Sequence, residues 1–209
     1  MKILVFGAAG PTGKQVVTQA FSQGHTVTAF VRNPEALPMT DPRLRLVVGD
    51  TTQDRQAIAE AVKDQDFVVS ALGRRKTLKS DDLMSQSMRL IVSAMENAGV
   101  HRLILMSAFG VGGSYLDAPL IPRIMYRFLL SDIFADKKAA EDRVRLSRLD
   151  WTIVYPVLLT NGPLTGNYRV GQRLELKGIP KISRAYVAHF MLAEAQARSF
   201  MRKVAVISY

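Results

Sequence analysis

Short apolar runs alternate with longer segments of helical spacing along most of the chain. The apolar runs predict strands at residues 3–6, 26–31, 44–48, 67–70, 103–106, 152–155 and 204–207. Helical spacing predicts helices over residues 14–23, 81–98, 133–149 and 184–199, the last behind an N-cap at Ser183. Several runs are apolar without alternation, as expected of parallel strands that are buried on both faces. The order predicts a single α/β domain over residues 1–209, a doubly wound parallel sheet with helices on both faces.

A glycine-rich turn joins the first predicted strand to the first predicted helix. It contains Gly7, Gly10 and Gly13, with Pro11 and Thr12 between the last two glycines. Gly7 permits a tight turn, Gly10 lets the backbone approach a pyrophosphate, and Gly13 lets the helix pack closely on the strand. The N-terminus of that helix offers unpaired N–H groups to an anion. The turn predicts a dinucleotide site in a Rossmann fold; the alternative is a structural turn beside an empty crevice.

An arginine follows the second predicted strand, where an NAD enzyme usually carries an acidic residue that holds the ribose hydroxyls. The guanidinium of this residue, Arg32, suits a 2'-phosphate, which a carboxylate would repel. We therefore predict that the cofactor is NADP, used as NADPH. The alternative interpretation of Arg32 is a solvated side chain at a strand end.

Further candidates for cofactor binding lie at the ends of the third and fourth predicted strands. Asp50, followed by Thr51, could accept a hydrogen bond from the adenine amino group, or it could form an Asx turn that starts a helix at Asp54. At the end of the fourth strand, the predicted contacts to the ribose and pyrophosphate are Ala71, Leu72, Gly73 and Arg74. Arg74 begins a basic run, 74–76, that could hold carboxylates or phosphates of a substrate or form a solvated loop.

Composition and charge narrow the possible chemistry. The 209 residues carry a formal net charge of +10 and include no cysteine and three histidines that lie far apart. Thiolate chemistry is excluded, no metal site is expected, and redox chemistry requires a bound cofactor. The basic residues are spread along the chain without a nucleic-acid-binding motif, so we expect no nucleic-acid partner and a positive field that attracts anionic small molecules. Because the chain shows neither a membrane-spanning run nor a signal peptide, we expect a cytoplasmic protein, and we also expect a monomer.

Ser107 ends the fifth predicted strand, at the position where short-chain dehydrogenase/reductases place a catalytic serine. Its hydroxyl could bind a substrate carbonyl or orient a water, or it could simply close the strand. In those enzymes a tyrosine four residues before a lysine provides the proton. Here the lysine aligns with Lys137 and the tyrosine position with Ile133, and Tyr126 is too distant in sequence to replace the phenol. Lys137 could contact the nicotinamide ribose or lie on the helix surface.

Several motifs together resemble a known family. The G-x-x-G-x-x-G turn is similar to that of the NmrA-like branch of atypical short-chain dehydrogenase/reductases. The motifs at 7–13, 31–32, 47–50, 71–73, 107–109, 163–168, 182–183 and 187–192 together resemble the flavin reductase and biliverdin reductase B family over nearly the whole chain. Residues 110–135 diverge most, and substrate contacts would be expected there.

The resemblance implies NADPH-dependent hydride transfer to flavins (FMN, FAD or riboflavin) or to a linear tetrapyrrole such as biliverdin. It implies that Ser107 orients the acceptor and that residues 156–159, including Pro156, Val157 and Leu158, wall the nicotinamide. Such acceptors delocalise the charge that hydride brings, so solvent can supply the proton and the missing tyrosine is tolerated. NmrA-like proteins also include catalytically weak NADP-binding sensors, regulators and assembly factors, and Ile133 is compatible with both alternatives.

Overall fold

The computed structural model describes residues 1–73, 81–112, 114 and 131–209 of the chain. The strands there are β1 Lys2–Phe6, β2 Thr26–Val31, β3 Leu44–Val48, β4 Phe67–Ser70, β5 Arg102–Met106, β6 Asp150–Pro156, β7 Leu158–Thr160, β8 Arg169–Gly171, β9 Lys181–Ser183 and β10 Lys203–Ser208. The α-helices there are α1 Pro11–Ser22, α2 Arg55–Val62, α3 Leu83–Ala98, α4 Ser131–Arg145 and α5 Arg184–Ala197, and Pro34–Ala36 form a 3-10 turn.

Eight of the strands form one sheet in the order β3-β2-β1-β4-β5-β6-β10-β8. Neighbouring strands are parallel except β8, which pairs antiparallel with β10. From β1 the chain proceeds to β2 on one side of the sheet, and from β4 it proceeds to β5 on the other side. Because both crossovers are right-handed, α1 and α3 lie on opposite faces of the sheet. Helix α1 packs against α5, and α3 packs between α2 and α4. The predicted doubly wound sheet with helices on both faces is confirmed.

The central strands form the core of the molecule. Every residue of β4 and β5 is buried, as is every residue of β1 after Lys2. This burial on both faces explains their continuous apolar runs. Strand β3 differs because it is the edge of the sheet, and Leu46 and Val48 are exposed there.

Several predicted boundaries were wrong for local physical reasons. Helix α1 begins at Pro11 rather than at 14, because proline suits the first helical position. Helix α3 begins at Leu83 rather than at 81, since Asp81 and Asp82 have positive φ angles. Helix α4 ends at Arg145 rather than at 149. The predicted N-cap of α5 is confirmed, because Tyr186 N donates a hydrogen bond to the Ser183 side chain. Strands β7, β8 and β9 were not predicted, because three residues show no periodicity.

A buried ion pair fastens α5 to the sheet. Arg102, at the amino end of β5, donates to Glu194 Oε1 at 3.0 Å, and both side chains are 2% exposed. The guanidinium also donates to the carbonyl oxygens of Asp150 and Glu194 and to the Thr152 hydroxyl. Glu194 in turn accepts the Phe200 amide at 2.8 Å. The pair therefore joins β5, β6, α5 and the segment before β10. It lies at the amino ends of the strands, away from their carboxyl ends.

Candidate functional site

A cavity of about 560 Å³ lies at the carboxyl ends of the parallel strands, where the strand order reverses between β1 and β4. This is where open α/β sheets bind ligands. The predicted site residues that line it are Gly7, Gly10, Pro11, Thr12, Arg32, Thr51, Ala71, Leu72, Gly73 and Ser107. Ile133 and Lys137 of α4 also line it, so the structure brings the glycine turn and the aligned short-chain positions into one space.

The glycine turn forms a cradle whose backbone packs so closely on neighbouring backbone that side chains on Gly7 and Gly13 would not fit. Gly7 has a φ of +76°, and a Cβ on it would lie 2.7 Å from the Ala71 carbonyl oxygen. A Cβ on Gly13 would lie 2.1 Å from the Gly7 carbonyl oxygen, so this glycine allows the helix to pack on the strand and lies behind the cavity wall. Within the described residues, the N–H groups of Thr12 and Gly13 have no hydrogen-bond partner. The cradle fits the pyrophosphate of a dinucleotide.

The end of the cavity formed by β2 and β3 contains Arg32 and Thr51. Arg32 is exposed at the rim, and it makes neither a hydrogen bond nor an ion pair with any described residue. The Thr51 hydroxyl accepts a hydrogen bond from Ser87 Oγ at 2.7 Å, which ties this wall to α3. The arrangement leaves the Arg32 guanidinium available for an anionic group.

Asp50 is not among the residues that line the cavity. Its carboxylate accepts hydrogen bonds from the Thr52 amide at 2.8 Å and the Thr52 hydroxyl at 2.6 Å. These bonds are the main reason that the pKa of Asp50 lies below its ordinary value, with a smaller contribution from the charge of Arg32. The Asx turn, one of the two interpretations of Asp50, is therefore present, and it leads to Asp54 as the N-cap of α2.

Ser107 belongs to a buried polar cluster below the cavity, formed with Glu141, Tyr155 and Arg145. Ser107 Oγ donates to Glu141 Oε1 at 2.5 Å, and Tyr155 donates to Glu141 Oε2 at 2.5 Å. Arg145, half-exposed, donates to the same Oε2 at 3.2 Å. Burial and the neighbouring charge of Glu141 raise the pKa of the Tyr155 phenol, so this phenol keeps its proton.

Lys137 reaches the cavity from α4, one turn before Glu141. Burial lowers the pKa of Lys137, and the charges of Glu141 and Asp136 partly oppose this shift. Asp136 accepts the amides of Met84 and Ser85 at 2.9 Å each, so its carboxylate caps the N-terminus of α3. Lys137 therefore lies at the cavity, rather than on the outer surface of the helix.

Three predicted residues, Pro156, Val157 and Leu158, do not line the cavity, whereas Leu159 does. Val157 is buried and Leu158 is 53% exposed. Side chains along β7 alternate in direction, so neighbours on this strand cannot share a wall. Arg74, the rest of the run 74–76, and Tyr126 lie outside the described residues, as does most of the divergent segment.

Three residues of the site were not predicted from the sequence: Glu141, Tyr155 and Arg184. Arg184 lines the cavity and donates a hydrogen bond to Asn161. The buried residues of α4 are Asp136, Ala140, Glu141 and Val144. An acidic residue in a stripe of helical spacing was the available signal for Glu141, because an isolated carboxylate is rarely buried. No comparable signal marked Tyr155, which reads as an ordinary strand residue.

No helix among the described residues is long and apolar enough to cross a membrane.

Comparison with known proteins gives one family and several relatives. A family model described as NAD(P)H-binding matches residues 7–198. An uncharacterised chloroplastic protein of Arabidopsis thaliana is 32% identical over 176 residues, 79% of this chain and 62% of that protein. The photosystem II assembly factor Ycf39 of Synechocystis is 26% identical over 97% of this chain and 61% of its own length. The chain therefore spans about three fifths of the length of these two relatives.

Solved structures share the whole fold. ChuY, an anaerobilin reductase from Escherichia coli O157:H7, has a TM-score of 0.81 at 24% identity and covers 99% of this chain and 96% of its own. A wide-type short-chain dehydrogenase/reductase from Veillonella parvula, solved in complex with NADP, has a TM-score of 0.80 at 20% identity, with 100% of this chain and 94% of that chain covered. At these identities the likeness shows the common fold.

Proposed function

Because this chain belongs to the NAD(P)H-binding family, we propose that it is an NADPH-dependent reductase that transfers hydride to a flavin or a linear tetrapyrrole. The observation that carries the proposal is the cavity itself. It joins the glycine cradle to Ser107 and Lys137 and has Ile133 where a proton-donating tyrosine would stand. A site with a cofactor cradle but without that phenol suits acceptors that need little acid catalysis.

The chain's residues divide the work of binding the cofactor. The N–H group of Thr12, which has no partner among the described residues, would hold the pyrophosphate at the N-terminus of α1. Arg32 would pair with the 2'-phosphate, and Lys137 would lie beside the nicotinamide ribose. NADPH supplies the hydride when bound. The preference for NADPH over NADH rests on Arg32, and the Veillonella neighbour in complex with NADP is consistent with it.

The remaining chemistry requires mainly that the acceptor be held in place. The acceptor gains one hydride from NADPH and one proton from solvent, and NADP⁺ is the other product. An isoalloxazine or a bilin spreads the added charge over its rings, so the chain need not donate the proton itself. Ser107 would orient the acceptor, and apolar groups such as Leu159 would exclude water from one side of the site.

Two relatives favour different readings of the same cavity. ChuY is named an anaerobilin reductase, which supports a tetrapyrrole acceptor for a chain of this fold. Ycf39 is named an assembly factor, which supports the second candidate, an NADP-binding sensor or assembly factor without appreciable turnover. Ser107 at the cavity favours the enzyme, because binding NADP alone does not require a polar group that orients an acceptor.

Steady-state assays separate the two candidates. Purified protein is mixed with NADPH and either FMN or biliverdin, and the nicotinamide absorbance is followed. We expect oxidation of NADPH that depends on both protein and acceptor. Tight NADPH binding without oxidation by either acceptor would contradict the reductase and favour the sensor.

Replacing Ser107 with alanine is expected to lower kcat about tenfold and to leave the Kd for NADPH unchanged. The serine lines the acceptor end of the cavity, and the cradle does not depend on it. Stopped-flow turnover and fluorescence titration measure the two quantities. Ser93→Ala, at an exposed position of α3, is the matched control. An unchanged kcat in Ser107→Ala would remove this serine from the reaction.

A further inference from the structure

We propose that Glu141 fixes the Ser107 hydroxyl as a hydrogen-bond acceptor toward the cavity, so that the site selects a linear tetrapyrrole, with its N–H groups, over a flavin. The inference rests on the proposed function and names the class of acceptor. Glu141 is a positioning residue, because it acts through Ser107 and does not itself line the cavity.

The hydrogen-bond pattern around Glu141 determines the direction of the Ser107 hydroxyl. Glu141 is 2% exposed, and its two oxygens accept from Ser107, Tyr155 and Arg145. An ionised carboxylate can only accept, so every bond to it must be donated by its partner. The single hydroxyl proton of Ser107 is therefore directed away from the cavity, to Oε1 at 2.5 Å.

The groups around Glu141 are donors. Arg145 pairs with it at 3.2 Å, and Lys137 lies one helical turn away. The Tyr155 phenol donates from the β6 side. The neighbouring carboxylate, Asp136, is occupied by the amides at the start of α3. Three donors, one of them the Arg145 guanidinium, therefore contact the two oxygens of Glu141, which act as acceptors.

Only lone pairs of Ser107 remain for a ligand. Its backbone N–H donates to the Val154 carbonyl oxygen at 2.9 Å, so neither donor of this residue is directed into the cavity. A hydroxyl oxygen that has given its proton to a carboxylate is also a stronger acceptor, because consecutive hydrogen bonds polarise one another. Ser107 should therefore bind an N–H group and should not bind a carbonyl or an imine nitrogen.

The two acceptor classes differ in what they present beside the atom that receives hydride. An oxidised flavin presents the lone pairs of N5 and O4, which require a donor. A linear tetrapyrrole such as biliverdin receives hydride on a bridging carbon, and one of the two adjacent rings carries an N–H group while the other carries an imine nitrogen. Pairing two acceptors across a desolvated contact is unfavourable, whereas an N–H group satisfies the serine lone pair. The cluster thus favours the tetrapyrrole.

The variant Glu141→Gln tests whether Glu141 sets the direction of the Ser107 hydroxyl proton. Its amide oxygen can still accept from Tyr155 while its NH₂ group donates to Ser107, which frees the serine proton for the cavity. We expect the ratio of kcat/KM for biliverdin to kcat/KM for FMN to fall about tenfold, with the Kd for NADPH unchanged. Asp142→Asn, at an exposed carboxylate one position along α4, should leave the ratio unchanged.

Binding measurements keep the test independent of turnover. The Kd values for biliverdin and for FMN are measured on the NADP⁺-loaded protein, for the wild type, Glu141→Gln and, should that variant not fold, Ser107→Ala. Wild-type preference for biliverdin that drops about tenfold in the variant supports the inference. Preference for FMN, binding of neither compound, or a ratio unchanged by either variant overturns it. Absence of NADPH oxidation in the wild type overturns the proposed function instead, so the two failures are distinguishable.

Discussion

Replacing Glu194 with alanine is expected to lower the free energy of unfolding by about 3–5 kcal/mol. The substitution leaves the Arg102 guanidinium buried, 2% exposed, without its carboxylate partner. It also removes the acceptor for the Ser199 and Phe200 amides, at 3.2 and 2.8 Å. The free-energy costs of the unpaired buried charge and of the two unsatisfied amides add together.

Urea unfolding followed by circular dichroism measures this loss. Glu175→Ala is the control, since Glu175 pairs with Lys177 at the surface, where both side chains are more than 80% exposed. That variant should change stability by less than about 1 kcal/mol. The double variant Arg102→Met, Glu194→Leu should recover the part of the loss that the unpaired charge causes, because apolar residues can replace a buried ion pair, while the Ser199 and Phe200 amides stay unsatisfied. Equal losses in Glu194→Ala and Glu175→Ala would show that the buried pair does not stabilise the fold.

Replacing Arg32 with alanine is expected to weaken NADPH binding about 10- to 100-fold and to leave NADH binding nearly unchanged. The guanidinium lies at the cavity rim, and within the described residues it has no hydrogen-bond or ion-pair partner. A 2'-phosphate would take two of its N–H groups, and only NADPH carries that phosphate. Fluorescence titration with each nucleotide gives the two affinities.

The control for Arg32 must remove the same charge elsewhere. Arg45 lies on the edge strand β3, exposed, and pairs with Glu60 at 3.6 Å outside the cavity. Arg45→Ala should leave the NADPH to NADH affinity ratio unchanged. If Arg32→Ala weakened both nucleotides equally, the arginine would act through general attraction, and the 2'-phosphate assignment would be wrong.

The fold could be predicted from the chain because local and long-range preferences agree. Burial on both faces of β4 and β5 produces continuous apolar runs, and the glycine turn marks a strand end where a helix packs closely. Boundaries were less predictable. The Asp81–Asp82 pair has positive φ angles, which the hydrophobic spacing of α3 does not indicate.

The candidate site was predictable where function follows from position in the strand order. Arg32 and Ser107 lie at strand ends, and the topology brings such ends to one edge of the sheet. The partner of Ser107 was not predictable in the same way, because Glu141 comes from a helix 34 positions further along the chain. Asp50 shows the opposite case, since its local turn with Thr52 is one of the two interpretations that the sequence left open.

The central claim, that this chain reduces an acceptor with hydride from NADPH, is tested most directly by isotope transfer. NADPH deuterated at both C4 positions is incubated with the protein and biliverdin, and the tetrapyrrole product is analysed by mass spectrometry. A carbon-bound deuterium does not exchange with water, so direct transfer leaves one deuterium in the reduced tetrapyrrole. We predict a product that carries this label. An unlabelled reduced product, or no reduced product while NADPH remains bound, would contradict the account.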